Sequence, residues 1–296
     1  MSDSARSVPD WLGQLITHAR DIDGAPPFSD QSLVDYRTAA RELVAIDEIA
    51  AALVTQSVAS APAEAEFVVD PDARTRGHGT ALLEQLLSRS PAGLLVWAHG
   101  DHPAARALAA SHGLSPVREL LHLSRVLEES TATAVASPRG TTEAGGSLEL
   151  RGFRTGHDEA AWVALNGLIF ASHPEQGSVS DSDLELLESE SWFDADNFLL
   201  LSDSDDLIGY CWVKVERDSG EFYVVGVHPD RHGEKLGSLL FEAGLARLRE
   251  LGIHHAHLYV EGDNEPALRL YRSRGFEVDS IDIQYRSRLS QFGALA

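Results

Sequence analysis

The chain has 296 residues, 43% of them hydrophobic and 24% charged, a length and composition typical of one or two globular domains. Its formal net charge of −22 argues against nucleic-acid binding, because that function needs clustered lysine and arginine to neutralise phosphates. The acidity is compatible with a small cationic substrate, but taken alone it favours a role in solubility. The single cysteine, Cys211, excludes an internal disulfide framework and a metal site built from several cysteines.

The N-terminal segment, MSDSARSVPDW, is polar and has no basic stretch leading into an apolar one, so we expect no signal peptide. The longest apolar runs, such as IAAALV, are too short to span a bilayer. We therefore expect a cytoplasmic protein that does not associate with membranes.

The first half contains the stretch VVDPDARTRGHGTALLEQLL, residues 68–87, which passes from β-type residues through a polar turn into leucines at helical spacing. Residues 127–147 are rich in Ser, Thr, Ala and Gly and show no sustained period, which is typical of a linker.

The second half predicts a helix over residues 158–171, then the hairpin strands NFLLLSD and LIGYCWVKVE and a third strand, EFYVVGV. A helical stripe of leucines follows over residues 236–251, and after it come the strand HAHLYVEG, a helix over residues 266–274 and the strand VDSIDIQYRS. Each half thus has the predicted order helix, hairpin, strand, helix, strand, helix, strand.

An internal repeat relates the two halves. Pro71 aligns with Pro229 and Gly79 with Gly237, both at a separation of 158 positions. Further on, GDHPAARALAASHGL aligns with GDNEPALRLYRSRGF at a separation of 162. A period this long indicates duplicated domains rather than a solenoid. We predict an α/β fold with two domains, residues 1–126 and 148–296, each a mixed β-sheet flanked by helices and joined by residues 127–147.

The loop RTRGHG, Arg74 to Gly79, joins a predicted strand to a predicted helix. Unpaired backbone N–H groups at a helix N-terminus form a ready anion site, and glycines let the backbone approach a pyrophosphate closely. Glycines at such turns are also common for steric reasons alone. The phosphate interpretation is favoured by the strand before the loop, the helix after it and the later strand followed by Gly-Asp.

This combination resembles the GNAT-type N-acetyltransferases, whose loop Q/R-x-x-G-x-G/A holds the pyrophosphate of acetyl-CoA. The resemblance implies two tandem GNAT-like domains with acetyl-CoA as co-substrate, and a pantetheine arm that lies between two splayed parallel strands, here against Val225 to Val227. The second copy, HGEKLG, departs from the pattern. His232 stands where Q/R is usual and Lys235 where the first glycine is usual, so Lys235 brings a cation to the phosphates at some cost in backbone fit.

The second half also carries the residues that amide formation needs. The amine must lose a proton, and the leaving thiolate must gain one. Glu221 lies in the third strand and Tyr271 in the last helix, where GNAT enzymes place a tyrosine as general acid near the CoA sulfur. On the sequence alone, without the resemblance, packing against the sheet is the favoured explanation for Tyr271.

The first half lacks these groups. By the repeat alignment, Ala63, His102 and Ala109 replace Glu221, Asn264 and Tyr271. We therefore expect the first half to bind acetyl-CoA without catalysing the reaction.

The stretches FYVVGVHP, LYVEGDNEPALRLYRSRGF, DIQYRS and HPEQG together resemble the mycothiol synthase family. That family acetylates the cysteinyl amine of a Cys-glucosamine-inositol in actinobacteria, giving mycothiol and CoA. By position, the resemblance implies an amine pocket lined by Asp30, Glu175, Lys214, Glu221 and Tyr259. For Asp30 and Lys214, an ordinary helix N-terminus and an exposed strand lysine are the alternatives.

The same resemblance implies the acetyl-CoA contacts of each half. Those of the second half are Val225, Gly226, Val227, His232, Gly233, Glu234, Lys235, Leu236, Gly237, Ser238, Asn264, Glu265, Pro266, Ala267, Leu268 and Arg269. Those of the first half are Phe67, Val68, Val69, Thr75, Arg76, Gly77, His78, Gly79 and Thr80.

Two other functions stay open on the sequence. The chain could acetylate another amine, such as a polyamine, an aminoglycoside or a protein N-terminus, or it could be a non-catalytic acetyl-CoA sensor. A metal site at His254, His255 and His257 is not expected, because neighbouring strand residues face opposite sides and no carboxylate pair is near in sequence. We expect a monomer that binds neither metal nor nucleic acid.

Overall fold

The computed structural model describes residues 6–55, 61–128, 140–141, 147–171, 176–204 and 206–288. The helices are α1 (Asp10–Asp23), α2 (Asp30–Arg37), α3 (His78–Arg89), α4 (Pro103–Ser111), α5 (Glu159–Ile169), α6 (Asp181–Glu188), α7 (Leu236–Glu250) and α8 (Glu265–Ser273). The strands are β1 (Arg41–Ile46), β2 (Ala50–Thr55), β3 (Ala63–Val69), β4 (Leu94–Ala98), β5 (Ser115–Val126), β6 (Gly140–Thr141), β7 (Ser147–Gly152), β8 (Phe198–Asp203), β9 (Asp206–Glu216), β10 (Ser219–Val227), β11 (His255–Glu261) and β12 (Glu277–Arg286).

The chain divides into two compact units. Unit 1 comprises Met1–His122, Val260–Glu265 and Val278–Ala296, and unit 2 comprises Leu123–Tyr259 and Pro266–Glu277. None of the helices in the described ranges combines the length and the apolar content needed to cross a membrane.

Unit 1 contains a mixed sheet with the order β1-β2-β3-β4-β12. Strands β3 and β4 are parallel, and the other neighbouring pairs in this order are antiparallel. Alternate residues of β3 enter two cores, since Ala63 and Ala65 pack with Leu82 and Leu86 of α3 whereas Val68 joins the cluster of α1 and α2. The sheet is therefore covered on both faces.

Unit 2 contains a second mixed sheet with the order β11-β10-β9-β8-β7-β6. Strands β10 and β11 are parallel, and β10, β9, β8 and β7 pair antiparallel in turn. Helix α7 packs on one face, where Phe241 stacks on Phe222 at 4.1 Å between ring centroids. The other face carries an aromatic cluster in which Trp162 of α5 and Phe198 of β8 contact Trp212.

The predicted mixed α/β fold class is confirmed, and most predicted elements end within two residues of their positions in the structure. Each half also contains a second short helix, α2 or α6, that the periodicity did not indicate. These helices have eight residues each, too short for an apolar stripe to stand out, and a side-chain cap starts each of them at Ser29 or Ser180. Strand β7 precedes α5 and was likewise not predicted.

The last strand in the described part of the chain belongs to the sheet of unit 1. Strand β12 pairs antiparallel with β4, from Ile283 opposite Ala98 to Arg286 opposite Leu95. Tyr285 is buried in the core that α3 covers. Unit 1 is thus built from both ends of the sequence.

Candidate active site

The two strand-to-helix loops have the same backbone conformation. In the first copy, Thr75 and Gly77 have φ angles of 62° and 88°, and in the second copy Gly233 and Lys235 have φ angles of 89° and 61°. Each loop thus has two residues in the left-handed backbone conformation before its helix begins. In the first copy the glycine is the second of the two residues, and in the second copy it is the first. A left-handed conformation costs a non-glycine residue about 1–2 kcal/mol. Lys235 therefore carries the backbone cost expected from the sequence.

His232 makes the contact that the arginine makes in the first copy. Arg74 Nε donates to the carbonyl oxygen of Val69 at 3.2 Å. His232 Nε2 lies 3.2 Å from the carbonyl oxygen of Val227, which is the corresponding strand residue, and donates to it when Nε2 carries the proton. Although His232 replaces the usual Gln or Arg, it keeps the contact between the loop and the end of the preceding strand.

The parallel strands β10 and β11 separate where the pantetheine arm was predicted. Their register runs from Ser219 and His255 to Phe222 and Leu258, whereas β10 stays paired with β9 as far as Val227. The β9–β10 register shifts between Phe222 and Val224, so Tyr223 occupies a β-bulge. The segment Val225–Val227 consequently borders the opening between β10 and β11 and leads to the second-copy loop.

Glu221 lies in a row of polar side chains across the unit 2 sheet. Its register partners are Lys214 on β9 and His257 on β11, and Tyr259 lies two residues further along the same face of β11. Register partners have Cβ atoms about 5 Å apart, so these groups border one surface. The structure thus brings together three of the five residues expected at the amine pocket: Lys214, Glu221 and Tyr259.

An aromatic wall that the sequence did not indicate borders this row. Trp192 lies 5.4 Å from Tyr223 and 5.7 Å from Trp212 between ring centroids, and Lys214 Nζ lies 5.1 Å from the centroid of Trp192. Burial, together with the charge of Glu221, raises the pKa of Tyr223. Trp192 lies in the connection between α6 and β8, where no periodicity marks a site.

Tyr271 lies on the opposite face of the unit 2 sheet from Glu221. Its ring packs against Phe241 of α7 at 4.9 Å between centroids. Burial raises the pKa of Tyr271 to about 12, with a smaller contribution from Cys211, whose register partner is Val225. The hydroxyl therefore stays protonated at neutral pH, beside the strand segment expected to contact pantetheine.

Three further sets of predicted residues lie as follows. Asn264 precedes α8 and its N–H donates to the carbonyl oxygen of Glu261 at 3.0 Å, whereas Glu265 to Arg269 form the first turns of that helix. Asp30 is the first residue of α2. Glu175 lies outside the described residues.

Unit 1 contains a cavity of about 460 Å³ at the first-copy loop. Eight of the nine predicted contacts line it: Phe67, Val68, Val69, Thr75, Gly77, His78, Gly79 and Thr80. Arg76 is exposed in the same loop. Arg74 also lines the cavity, but its guanidinium forms a two-pronged ion pair with Asp23 at 2.7 and 2.6 Å, and this bond holds the pKa of Asp23 below its usual range.

A buried polar cluster lies beside this cavity. Glu66, which is 2% exposed, takes the repeat position of Val224, and the β2–β3 register continues through it without a bulge. Its carboxylate accepts hydrogen bonds from the backbone and hydroxyl of Ser29 and from the hydroxyl of Ser32. On the face that carries Glu221 in unit 2, unit 1 thus has a closed hydrogen-bond network.

Known proteins match the second half of the chain and the chain as a whole. The acetyltransferase (GNAT) family model matches residues 162–276. A protein named mycothiol acetyltransferase from Sanguibacter keddieii is 44% identical over 286 residues, which cover 92% of this chain and 90% of the relative. A protein of the same name from Thermomonospora curvata is 43% identical, with 90% and 89% of the two chains covered.

The chain belongs to the mycothiol acetyltransferase family. It is thus an acetyl-CoA-dependent N-acetyltransferase with GNAT domains.

Solved structures confirm that this member of the mycothiol acetyltransferase family has a tandem fold. A GCN5-related N-acetyltransferase from Sphaerobacter thermophilus superposes with a TM-score of 0.71 at 20% identity, covering 96% of this chain and 97% of that one. A tandem GNAT protein from the clavulanic acid biosynthesis pathway superposes with a TM-score of 0.65 at 18% identity, with 94% of each chain covered. The predicted pair of GNAT-like domains is therefore correct.

Proposed function

We propose that the chain transfers the acetyl group of acetyl-CoA to the cysteinyl amine of Cys-glucosamine-inositol, giving mycothiol and CoA. The observation that carries this proposal is the match over nine tenths of the chain to relatives named mycothiol acetyltransferase. The polar row of unit 2 supports it, because carboxylate, ammonium and phenol groups suit an amino-sugar substrate with many hydroxyls.

Glu221 is the proposed general base. The substrate amine is an ammonium near neutral pH and attacks only after losing a proton. The Glu221 carboxylate attracts that ammonium and accepts its proton, directly or through a water. Lys214, Tyr259 and, by position in the family, Glu175 bind the sugar and inositol hydroxyls.

Tyr271 is the proposed general acid. Because its hydroxyl is protonated at neutral pH, it donates a hydrogen bond to the CoA sulfur as negative charge develops there. Base and acid lie on opposite sides of the unit 2 sheet, and the scheme puts the thioester at the opening where β10 and β11 cease to pair. The amine thus reaches the thioester from the Glu221 side while CoA leaves on the Tyr271 side. As the C–N bond forms and the C–S bond breaks, Tyr271 gives its proton to the thiolate. The nitrogen releases its second proton to water, from which Tyr271 is reprotonated, and no step of the scheme uses a metal ion.

The second-copy loop and the start of α7 are the proposed phosphate site. Its helix N-terminus offers unpaired N–H groups, and Lys235 adds a cation. Residues Asn264 to Arg269 complete the acetyl-CoA contacts in this proposal.

Unit 1 is proposed to hold a second acetyl-CoA without turnover. The cavity at the first-copy loop supports binding. Ala109 in place of Tyr271 supports the absence of catalysis, as does the unbulged β3. The repeat alignment of Glu221 with Ala63 is wrong, because the bulge at Tyr223 shifts β10 by one residue. Glu64, opposite Leu95, takes the register position that Glu221 has opposite His257, and it forms an ion pair with Arg41.

Replacing Gly79 by Asp, which puts a carboxylate at the phosphate loop, should abolish one of two binding events seen by calorimetry and preserve most turnover. Loss of all activity would contradict the silent role.

The substrate is tested with the purified chain, acetyl-CoA and three kinds of amine: Cys-glucosamine-inositol, glucosamine-inositol and a polyamine. We expect acetylation of the first at a kcat/KM at least about 100-fold higher than of the others, because only its amine carries both the cysteinyl and the sugar contacts. Comparable rates for the polyamine would favour the alternative amine substrates, and no acetylation of any amine would favour a sensor.

A further inference from the structure

Trp192 packs on the face of the unit 2 sheet that carries Glu221. Its half-buried ring lies 5.7 Å from Trp212 and 5.4 Å from Tyr223 between centroids. Trp212 and Lys214 are alternate residues of β9 and therefore point to the same face of the sheet. Trp192 thus covers β9 directly beside the polar row.

The backbone that carries Trp192 is held by short-range hydrogen bonds. In the connection between α6 and β8, the N–H of Phe193 donates to the carbonyl oxygen of Glu190 at 3.1 Å. The side chain of Asp194 accepts from the N–H of Asp196 at 2.9 Å and so starts a short turn before β8. The ring of Trp192 is therefore placed by the fold of unit 2 itself.

The ammonium of Lys214 rests on this ring. Its Nζ lies 5.1 Å from the centroid of Trp192, which is within the range of a cation–π contact, and tryptophan is the best aromatic partner for such a contact. The same Nζ forms an ion pair with Glu216 Oε2 at 2.8 Å. The side chain of Glu216 is 59% exposed, and an ion pair open to water fixes its partner only weakly. The ring of Trp192 is therefore the contact that does most to fix the ammonium of Lys214.

Glu221 lies between two neighbours of the row. Its register partner on β11 is His257, and its register partner on β9 is Lys214. The proposed scheme puts the thioester at the opening between β10 and β11, so the acetyl donor approaches Glu221 from the β11 side. The groups bonded to the reacting nitrogen then meet Lys214 and Trp192 on the β9 side. An ammonium has three donors, and after the contacts with Glu216 and the ring the third can donate to a sugar hydroxyl.

We propose that Trp192 is a positioning residue for sugar recognition: its ring holds the ammonium of Lys214 where that group donates a hydrogen bond to a hydroxyl of the substrate sugar. The proposal rests on the proposed function, because it requires an amine substrate that carries a sugar. It assigns a task to the connection between α6 and β8, which neither the family resemblance nor the acid–base scheme uses.

The test is a double-mutant cycle on the full chain with Cys-glucosamine-inositol and saturating acetyl-CoA. Lys214→Met removes a hydrogen bond from a charged donor, so it should raise the KM for the amine about tenfold and keep kcat within about threefold of the wild type. Trp192→Leu should raise the same KM severalfold, because the ammonium is present but no longer held. The double variant should have the KM of Lys214→Met alone, because the ring acts through the lysine.

Two further variants separate positioning from packing. Trp192→Phe keeps an aromatic face and should restore most of the wild-type KM, whereas a residue that only fills space would be replaced equally well by leucine and phenylalanine. Phe193→Leu is the matched control, because Phe193 is the next aromatic residue of the same connection and packs on Trp212 at 5.8 Å. This control should change stability and leave the KM for the amine unchanged.

A wild-type KM in Trp192→Leu would overturn the role of Trp192. Effects of the two single substitutions that multiply in the double variant would overturn it too, because Trp192 would then act independently of Lys214. An unchanged KM in Lys214→Met, which leaves the ring intact, would overturn it even if Trp192→Leu does not fold. If the wild-type chain did not acetylate Cys-glucosamine-inositol at all, the proposed function itself would fall, and this inference with it.

Discussion

At the scale of single residues, the proposed base Glu221 and the proposed acid Tyr271 lie on opposite sides of the unit 2 sheet. Glu221→Gln removes the base but keeps the size of the side chain. Turnover should fall about 10²–10⁴-fold near neutral pH, and part of it should return at high pH, where free amine is abundant. The measurement is kcat/KM against pH for Cys-glucosamine-inositol. A uniform loss at every pH would contradict a base and indicate a binding role only.

Tyr271→Phe removes the hydroxyl and keeps the ring on Phe241. Turnover should fall across the whole pH range by about 10²-fold, because the wild-type pKa of about 12 leaves no titration between pH 6 and 10. Acetyl-CoA affinity, measured by calorimetry, should stay within a factor of two of the wild type (roughly 0.4 kcal/mol). An unchanged rate would leave Tyr271 as a packing residue, the alternative that the sequence had kept open.

His99 should also make stability depend on pH. Burial opposes its charge, but the interactions with Asp282 and Glu66 outweigh it and raise the pKa of His99 to about 9. This pKa is above the ordinary value of 6.5, so its stabilising contribution is complete below pH 6.5 and is lost as the pH rises through 9. The free energy of unfolding, from urea denaturation at pH 7 and pH 10, should therefore fall more in the wild type than in His99→Asn. Equal falls would contradict a charged His99.

At the scale of elements, the packing of α7 on β9 and β10 requires a glycine. A Cβ atom at Gly244 would lie 2.6 Å from Phe222 Cε1 and 2.7 Å from Cys211 Sγ. Alanine favours a helix over glycine by about 1 kcal/mol, but overpacking a core costs about 1–3 kcal/mol. Gly244→Ala should therefore be destabilising on balance.

Gly13 of α1 is the matched control for Gly244. A Cβ atom there meets nothing within 4 Å, so Gly13→Ala should raise the free energy of unfolding by about 0.5–1 kcal/mol. Urea denaturation of both variants is the measurement. If the two substitutions stabilised the chain equally, the close approach of α7 to the sheet would be wrong.

At the scale of the whole molecule, unit 1 depends on the C-terminal strand. A fragment of residues 1–128 lacks β12, which leaves the backbone of Leu95 to Ala98 without its pairing and removes Tyr285 from the core. An unpaired hydrophobic edge favours aggregation. The fragment should elute as aggregate in size-exclusion chromatography and show no cooperative thermal transition. A monomeric fragment with a sharp transition would contradict this dependence.

The sequence by itself determined the features that depend on neighbouring residues: the repeat, the two strand–loop–helix stretches, the leucine stripe of α7, and Glu221 on the third strand. These follow from local periodicity and backbone chemistry. The family resemblance supplied the predicted acetyl-CoA contacts. Eight of the nine residues predicted for the first half line the cavity of unit 1.

Only the tertiary structure decided which distant residues meet. Glu66 lies within β3, His99 directly after β4 and Asp282 within β12, and β12 pairs with β4 across most of the chain. No local pattern encodes such contacts, because strand pairing over long separations is selected by the burial and hydrogen bonding of the complete fold. The contact of His232 with the carbonyl oxygen of Val227 could not be predicted for the same reason. Only the folded loop shows that this imidazole takes the place of Arg74, which donates to the carbonyl oxygen of Val69 in the first copy.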